Sequence, residues 1–288
     1  MDRGFLDRSA RLLRRDLRRA AQHWRYHRFS LEGEPVFFAN SFPKSGTHLL
    51  IQVLNGFAWL GPAVSSGLPA VVNYRGDSGD VRLANEILAD LNRLKPGDIS
   101  YGHLHALPEV VSFLCQQGSA TYFILRDPRD VAISHVYYVT EMAPKHAHHT
   151  FYTQELHNFD ERLRTSILGR PDWDEAFPDI GKRFQPYLGW LLRPEVCTLR
   201  FEDFVHDQEA SLSRVIDFAV DRGFSLGCEK SLAVEVLARG IDPRNSPTFR
   251  SGKTGGWRER FSPEHKRLFK EVAGDTLIRL GYEQDYDW

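Results

Sequence analysis

Cysteine is scarce in this chain: its 288 residues include only Cys115, Cys197 and Cys228. No two are spaced as a CxxC zinc or redox motif, and an odd number argues against a disulfide framework. Three reduced thiols suit a reducing compartment, so a cytoplasmic location is expected. Long apolar runs are also missing. A membrane-spanning helix needs ~20 such residues, and the best candidate, Leu49 to Leu60, is broken by Gln52, Asn55 and Gly56. The N-terminus carries Arg where a secretory signal would carry its apolar core, and three Asp weigh against an organellar transit peptide. Charge of one sign is not in excess: 37 Lys+Arg against 38 Asp+Glu leave −1. That balance speaks against a strongly basic nucleic-acid binder. No internal repeat or low-complexity linker is present. What remains is an ordinary globular composition, 42% hydrophobic and 26% charged, as in soluble enzymes. The chain is long enough to bury a core without disulfide or metal staples.

The neutral total hides an asymmetry. Residues 1–28 hold nine Arg and three Asp, or +6, and the rest of the chain is −7. Within that segment Leu6, Ala10, Leu13, Leu17, Ala20 or Ala21, and Trp24 recur at helical spacing. Residues 1–30 therefore read as a basic amphipathic helix ahead of a single domain, 31–288. The simpler expectation is that the apolar stripe packs on the domain and the Arg faces water. The other is peripheral contact with an anionic membrane or an acidic partner through residues 1–28.

Pro35 to Asn40 reads as a short buried strand, Ser41 to Thr47 as a Gly-containing loop, and His48 to Leu60 as an apolar helix. Strand, loop, helix is how a nucleotide-binding α/β fold begins. Helices are expected over 81–94, 107–115 and 208–221, and strands at 99–101, 120–125 and 196–201. A helix starts at Pro128 behind Asp127, and a C-terminal helix behind Ser262. Residues 141–185 read as an irregular insert or lid with short helices. The fold class is α/β: a P-loop-like three-layer domain with a mostly parallel central sheet flanked by helices.

Three segments suit anion binding. The first is Pro43-Lys44-Ser45-Gly46-Thr47-His48. Backbone N–H groups at a helix N-terminus cradle an anion, and Gly lets the chain approach it closely. Lys44 precedes Gly46 by two residues, so the ATP-type pattern with Lys directly after the last Gly fails. The second is Arg126 at the end of a strand, with Ser134 two turns into the next helix; ligands of open α/β sheets bind at that edge. The third is the loop Arg250-Ser251-Gly252-Lys253-Thr254-Gly255-Gly256-Trp257.

In this order the three segments resemble the sulfotransferase family that uses 3′-phosphoadenosine-5′-phosphosulfate (PAPS). Lys44 to Thr47 is similar to that family's 5′-phosphosulfate loop, Arg126 and Ser134 to its 3′-phosphate pair, and Arg250, Ser251 and Gly252 to its RKG motif. Leu199 to Phe204, with Phe201 in place of a Tyr, resembles the segment between them. The resemblance implies a nucleotide-binding transferase that uses PAPS as co-substrate and no metal. Lys44, Ser45, Gly46, Thr47, His48, Arg126, Ser134, Phe201, Arg250, Ser251 and Gly252 would bind that co-substrate. Departures from the family pattern fall mostly on adenine contacts: Leu49 stands where Trp is common.

In the family a His followed by Leu and Pro acts as general base. His103 takes that place ahead of Leu104, and His105 shares its side if the strand continues. His103 is favoured as the catalytic base, together with Lys44 as charge stabiliser. The reaction implied is in-line attack by an acceptor hydroxyl or amine on sulfur. The acceptor is a small molecule, carbohydrate or lipid, and no nucleic acid is expected. Alternatives are an ATP-dependent small-molecule kinase and a non-catalytic nucleotide-binding or membrane-docked adaptor. His146, His148 and His149 lack a carboxylate or Cys at ligand spacing, so no metal site is expected.

Overall fold

The computed structural model describes residues 3–26, 30–75, 80–170, 177–246, 250 and 252–288, with the backbone alone for 3–9. Among the described residues six strands form one sheet: β1 (Val36–Ser41), β2 (Val64–Ser65), β3 (Val71–Val72), β4 (Asp98–His103), β5 (Ser119–Leu125) and β6 (Val196–Arg200). The order is β2-β4-β1-β5-β6, with β3 also paired to β4, and every named pairing is parallel.

Alternation along the strands builds two cores. Phe37 and Ala39 of β1 join Tyr122 and Ile124 of β5 on one face; Phe38 joins Phe123 and Leu125 on the other. The first face is covered by α2 (Thr47–Gly56), α9 (Gln208–Asp221) and α10 (Lys230–Arg239). The second is covered by α3 (Ala84–Leu91), α4 (Pro108–Leu114), α5 (Pro128–Tyr137), α6 (Phe159–Leu168), α7 (Ile180–Phe184) and α12 (Pro263–Arg279). The result is the three-layer α/β arrangement that the patterning predicts. Two short helices complete it, α8 (Phe201–His206) and α11 (Trp257–Arg260). Sequence reading misses α10, whose only fully buried side chains are Ala233 and Leu237.

β1 is the point where strand order reverses, with β4 on one side and β5 on the other. A crevice opens at the C-terminal ends of strands at such a point. Here four ends deliver the candidate residues: the Lys44 loop after β1, His103 on β4, Arg126 after β5 and Phe201 after β6.

The stretch 141–185 carries short helices: the π-helical turn Phe151–Glu155, α6 and α7, entered through another π-helical turn at Tyr138–Met142. Tyr152, Leu163, Ile167, Phe177 and Phe184 are buried in the second core. Trp173 lies outside the described residues.

The N-terminal helix α1 (Arg3–Arg25) reverses the simpler expectation. Its polar face docks on the domain. Arg15, 4% exposed, reaches Asp98 and the Arg93 carbonyl; Arg19 reaches Asp98 at 2.9 Å; Arg18 donates to the Ser65 and Ser66 carbonyls; Gln22 donates to those of Ala58 and Ala63. Residues 15, 18, 19 and 22 share one helical face. The reason is chemical: this edge of the domain offers carbonyls and a buried carboxylate, which Arg forks satisfy. Asp98 is fully buried, and burial pushes its carboxyl pKa up against the opposing pull of the Lys95 N–H, Arg19 and Arg15. Removing both Arg groups strands that charge. The double substitution Arg15→Ala/Arg19→Ala is expected to destabilise the fold at pH 7 by about 3 kcal/mol. The loss should shrink on acidification, as Asp98 takes up a proton, and in the added presence of Asp98→Asn. Denaturant melts across pH check this; an unmoved midpoint would contradict it.

Candidate active site

The loop after β1 is shaped by two left-handed residues, Lys44 with φ 70° and Gly46 with φ 102°. Gly46 caps α2, and a Cβ there would lie 2.8 Å from the Phe201 ring. Only Gly fits a backbone that is both left-handed and so closely covered. The Ser45 hydroxyl is fully buried and has no hydrogen-bond partner. A buried, unsatisfied hydroxyl beside a helix N-terminus suits an anionic oxygen. Lys44 Nζ lies 4.0 Å from the Tyr138 ring centroid. Burial, with Arg126 adding repulsion, brings the Lys44 pKa down to about 8. His48 stands beside it, its pKa lowered by burial and by Lys44.

His103 closes β4 and faces this loop. Its Nδ1 lies 3.0 Å from the Ser41 carbonyl and 3.1 Å from Ser41 Oγ, which in turn lies 2.7 Å from Thr47 Oγ1. A carbonyl only accepts, so Nδ1 carries the proton and Nε2 keeps its lone pair. Neighbouring amides fix the backbone here: Asn73 donates to the His103 carbonyl and Asn40 makes two bonds to Leu104. His105 sits elsewhere. The strand stops at His103, and the His105 ring packs edge-on between Tyr74 and Tyr187.

The His103 pKa is lowered, chiefly by burial, with the charges of His48 and Lys44 adding to it and the Ser41 carbonyl opposing. In the free protein its ring should therefore titrate below the ordinary 6.5, and a polyanion on the Lys44 loop should move it up. An NMR titration with and without 3′-phosphoadenosine-5′-phosphate (PAP) reads both; a midpoint above the ordinary value in the free protein would contradict this account.

Arg126 projects from the end of β5. It donates to the Lys253 carbonyl at 2.8 Å, lies 3.9 Å from Asp130 and stacks over Phe201 at 4.7 Å. Its Nε is buried without a partner. Arg250 stacks over Tyr137 at 4.2 Å and is close enough to depress the Arg126 pKa, after burial as the main cause. Tyr137 lies one turn beyond half-buried Ser134 on α5, so Arg250 approaches the face that carries Ser134. Gly252, with φ 63°, continues the same loop, and Ser251 lies outside the described residues.

Asp127, Arg129 and Asp130 are all buried. Arg129 is buried, grips Asp127 at 2.7 Å and Glu283 at 2.5 Å, and lies 3.7 Å over Trp257. Asp130 accepts from the Gly255 and Trp257 N–H groups, which straps the third loop beside Arg126. Sequence reading also misses Ser41 and Tyr138. Ser41 had one signal, its place at the strand end before the loop; Tyr138 had none.

The histidines of the insert regroup. His149 donates to the Val139 carbonyl, and it is His135 that joins His146 and His148, with ligand-type nitrogens within 4.8 Å. Lys44 and Arg183 lower the pKa of His135, and Arg170 and Arg183 that of His148, after burial as the largest cause. Surrounding cations oppose a divalent ion here.

Fold and site together define an α/β protein with Lys44 and Arg126 gathered at the strand ends beside His103. A sulfotransferase domain model matches residues 103–281, more than half of the chain, and the chain belongs to that family. Solved sulfotransferase structures share the fold. Mouse sulfotransferase SULT7A1 complexed with PAP is 18% identical, with a TM-score of 0.59 over 88% of this chain and 91% of that one. Retinol dehydratase with androsterone and the inactive cofactor PAP is 16% identical, with a TM-score of 0.54 over 84% and 80%. The same enzyme with retinol and PAP is 17% identical, at 0.54 over 85% and 82%. No curated protein sequence matches significantly. Among the described residues no helix is long and apolar enough to cross a membrane.

Proposed function

We propose that this sulfotransferase-family protein moves a sulfuryl group from PAPS to a hydroxyl or amine of a small molecule, with His103 as general base. The observation that carries the reading is the convergence of Lys44, His103 and Arg126 at the C-terminal ends of β1, β4 and β5, with two buried donors, Ser45 Oγ and Arg126 Nε, lacking partners. Those donors fit a ligand rich in anionic oxygens. PAPS supplies an activated sulfuryl group and a phosphate leaving group. His103 Nε2 takes the acceptor proton as the acceptor oxygen or nitrogen bonds to sulfur. Lys44 Nζ and the loop N–H groups, with Ser45, Thr47 and His48 around them, stabilise the charge that develops on the leaving oxygen. Arg126, Arg250 and Ser134 hold the remote 3′-phosphate, with Ser251 and Gly252 in the same loop. Phe201 covers the loop and steers Arg126.

The Tyr138 ring beside Lys44 Nζ, and Tyr74 packed on His105 two residues beyond His103, support an acceptor with a flat, partly apolar body. The insert 141–185 closes over that acceptor. Peripheral contact of residues 1–28 with an anionic membrane belongs to the same proposal. Free Cys115, Cys197 and Cys228, with pKa values raised chiefly by burial, support a cytoplasmic setting. Labelled PAPS offered with phenolic, steroidal, lipid and sugar acceptors tests the activity. Metal-independent transfer to one of them is expected; turnover of Mg·ATP without PAPS would favour a kinase.

A further inference from the structure

We infer that α1 carries a docking surface for an anionic bilayer, and that its apolar stripe rather than its buried Arg face enters the lipid. This deepens the membrane reading of residues 1–28 and does not depend on the transfer chemistry. On α1 the stripe Ala10, Leu13, Leu17, Ala20, Ala21 and Trp24 is exposed throughout; Leu13 and Leu17 are each 63% and Trp24 85% accessible. An amphipathic helix normally buries such a stripe against its own domain. Here Arg15, Arg18, Arg19 and Gln22 occupy that interface, so the stripe has been turned outward and fixed there. The helix is thus a rigid part of the domain edge, presenting about 20 Å of apolar ridge between residues 10 and 24.

A second element extends the ridge. Trp59, 66% exposed, stands across a groove of about 950 Å³ lined also by Ala21, Trp24, Ala58 and Val64. Arg25 bridges its two sides, its guanidinium 4.7 Å from the Trp59 ring centroid. Two exposed Trp rings beside an apolar helix face suit the interfacial zone of a bilayer, where an amphipathic ring is most favourable.

Charge selects the occupant. Arg14 and Arg25 are exposed beside the stripe, where long side chains reach headgroups while the apolar ridge sinks below them. A second copy of the chain, packed antiparallel on this face across a two-fold axis, would bring the same cationic flank against itself. Anionic headgroups neutralise it, each nearby Lys or Arg adding to the attraction. The same strand, β4, carries the α1 anchor Asp98 at its start and His103 at its end, about 17 Å apart along the chain. The surface therefore stands at the opposite end of β4 from the reacting centre.

The test uses the full chain and vesicles of phosphatidylcholine, with or without phosphatidylglycerol, in the absence of PAPS and acceptor. The unmodified protein should sediment with the anionic vesicles only, and less at high salt. The variant Leu13→Gln/Leu17→Gln/Trp24→Gln keeps every Arg and the bonds of Arg15, Arg18, Arg19 and Gln22 to the domain, so its thermal midpoint should be nearly unchanged. Its vesicle affinity should fall by about a hundredfold or more. Wild-type binding that is absent, indifferent to phosphatidylglycerol, or retained by the triple variant would overturn the inference. So would a wild-type dimer in analytical ultracentrifugation that the triple variant lacks, because a second copy would then be the occupant. Neither result would touch the reading of the PAPS site, since neither assay involves transfer.

Discussion

Replacing His103 with Ala is expected to lower sulfuryl transfer by about 10²–10⁴-fold, the usual range for loss of a positioned general base. PAP affinity near neutral pH should change little, because the His103 pKa is lowered and its hydrogen bonds to the phosphate loop run through Ser41 to Thr47. The separation of the two effects is what matters. A surface or packing histidine would alter neither, and a purely structural one would lower both. His105→Ala provides the internal control: its ring contacts are aromatic, and burial lowers its pKa to about 4. Its loss should weaken acceptor binding and leave most of the turnover at saturating acceptor. Initial rates with labelled PAPS, beside calorimetric PAP binding, measure both quantities. A His105→Ala variant more damaged in turnover than His103→Ala would reverse the assignment.

Lys44→Met should reduce turnover by about 10²–10³-fold, the scale seen when one fixed donor to a developing oxyanion is removed. PAP binding should weaken as well, since the ammonium faces a negative ligand in the ground state too. A pH effect accompanies this. The Lys44 pKa of about 8 means that the free enzyme holds Lys44 partly neutral above that pH. A bound polyanion raises that pKa, so binding should draw protons from solution above pH 8 and cease to do so well below it. The sign follows from linkage: the complex holds more protons than the free enzyme in that window. Calorimetry in buffers of different ionisation enthalpy detects the uptake, and Lys44→Met should abolish it. Equal uptake in both proteins would remove Lys44 from the ligand's surroundings.

The parts of the site that were legible share a physical feature: each is a short segment at a strand end, where the residue type itself states the chemistry. Gly46 and Lys44 in the first loop, Arg126 behind an apolar strand and His103 ahead of Leu104 could all be placed that way. The strand's end point is what separates the surroundings of His103 from those of His105, because a period-two argument holds only while the strand lasts. The rest depended on partners distant in sequence. Helical periodicity shows that α1 has an apolar stripe, yet it cannot say which face docks. That was decided by Asp98 and by carbonyls 47 and 48 residues from Arg18, which its guanidinium satisfies together. Asp130 gives no local sign that it will hold Gly255 and Trp257, and His135 joins His146 and His148 only through the fold of the insert.

The most direct measurement is a calorimetric titration with PAP, which needs no knowledge of the acceptor. The account predicts saturable one-to-one binding without Mg²⁺, weakened at least about tenfold in Arg126→Ala by loss of a charge-assisted contact worth ~1.5–3 kcal/mol. It also predicts that the Leu13→Gln/Leu17→Gln/Trp24→Gln variant binds as the wild type does. No binding of PAP, or undiminished binding by Arg126→Ala and Lys44→Met together, would contradict it.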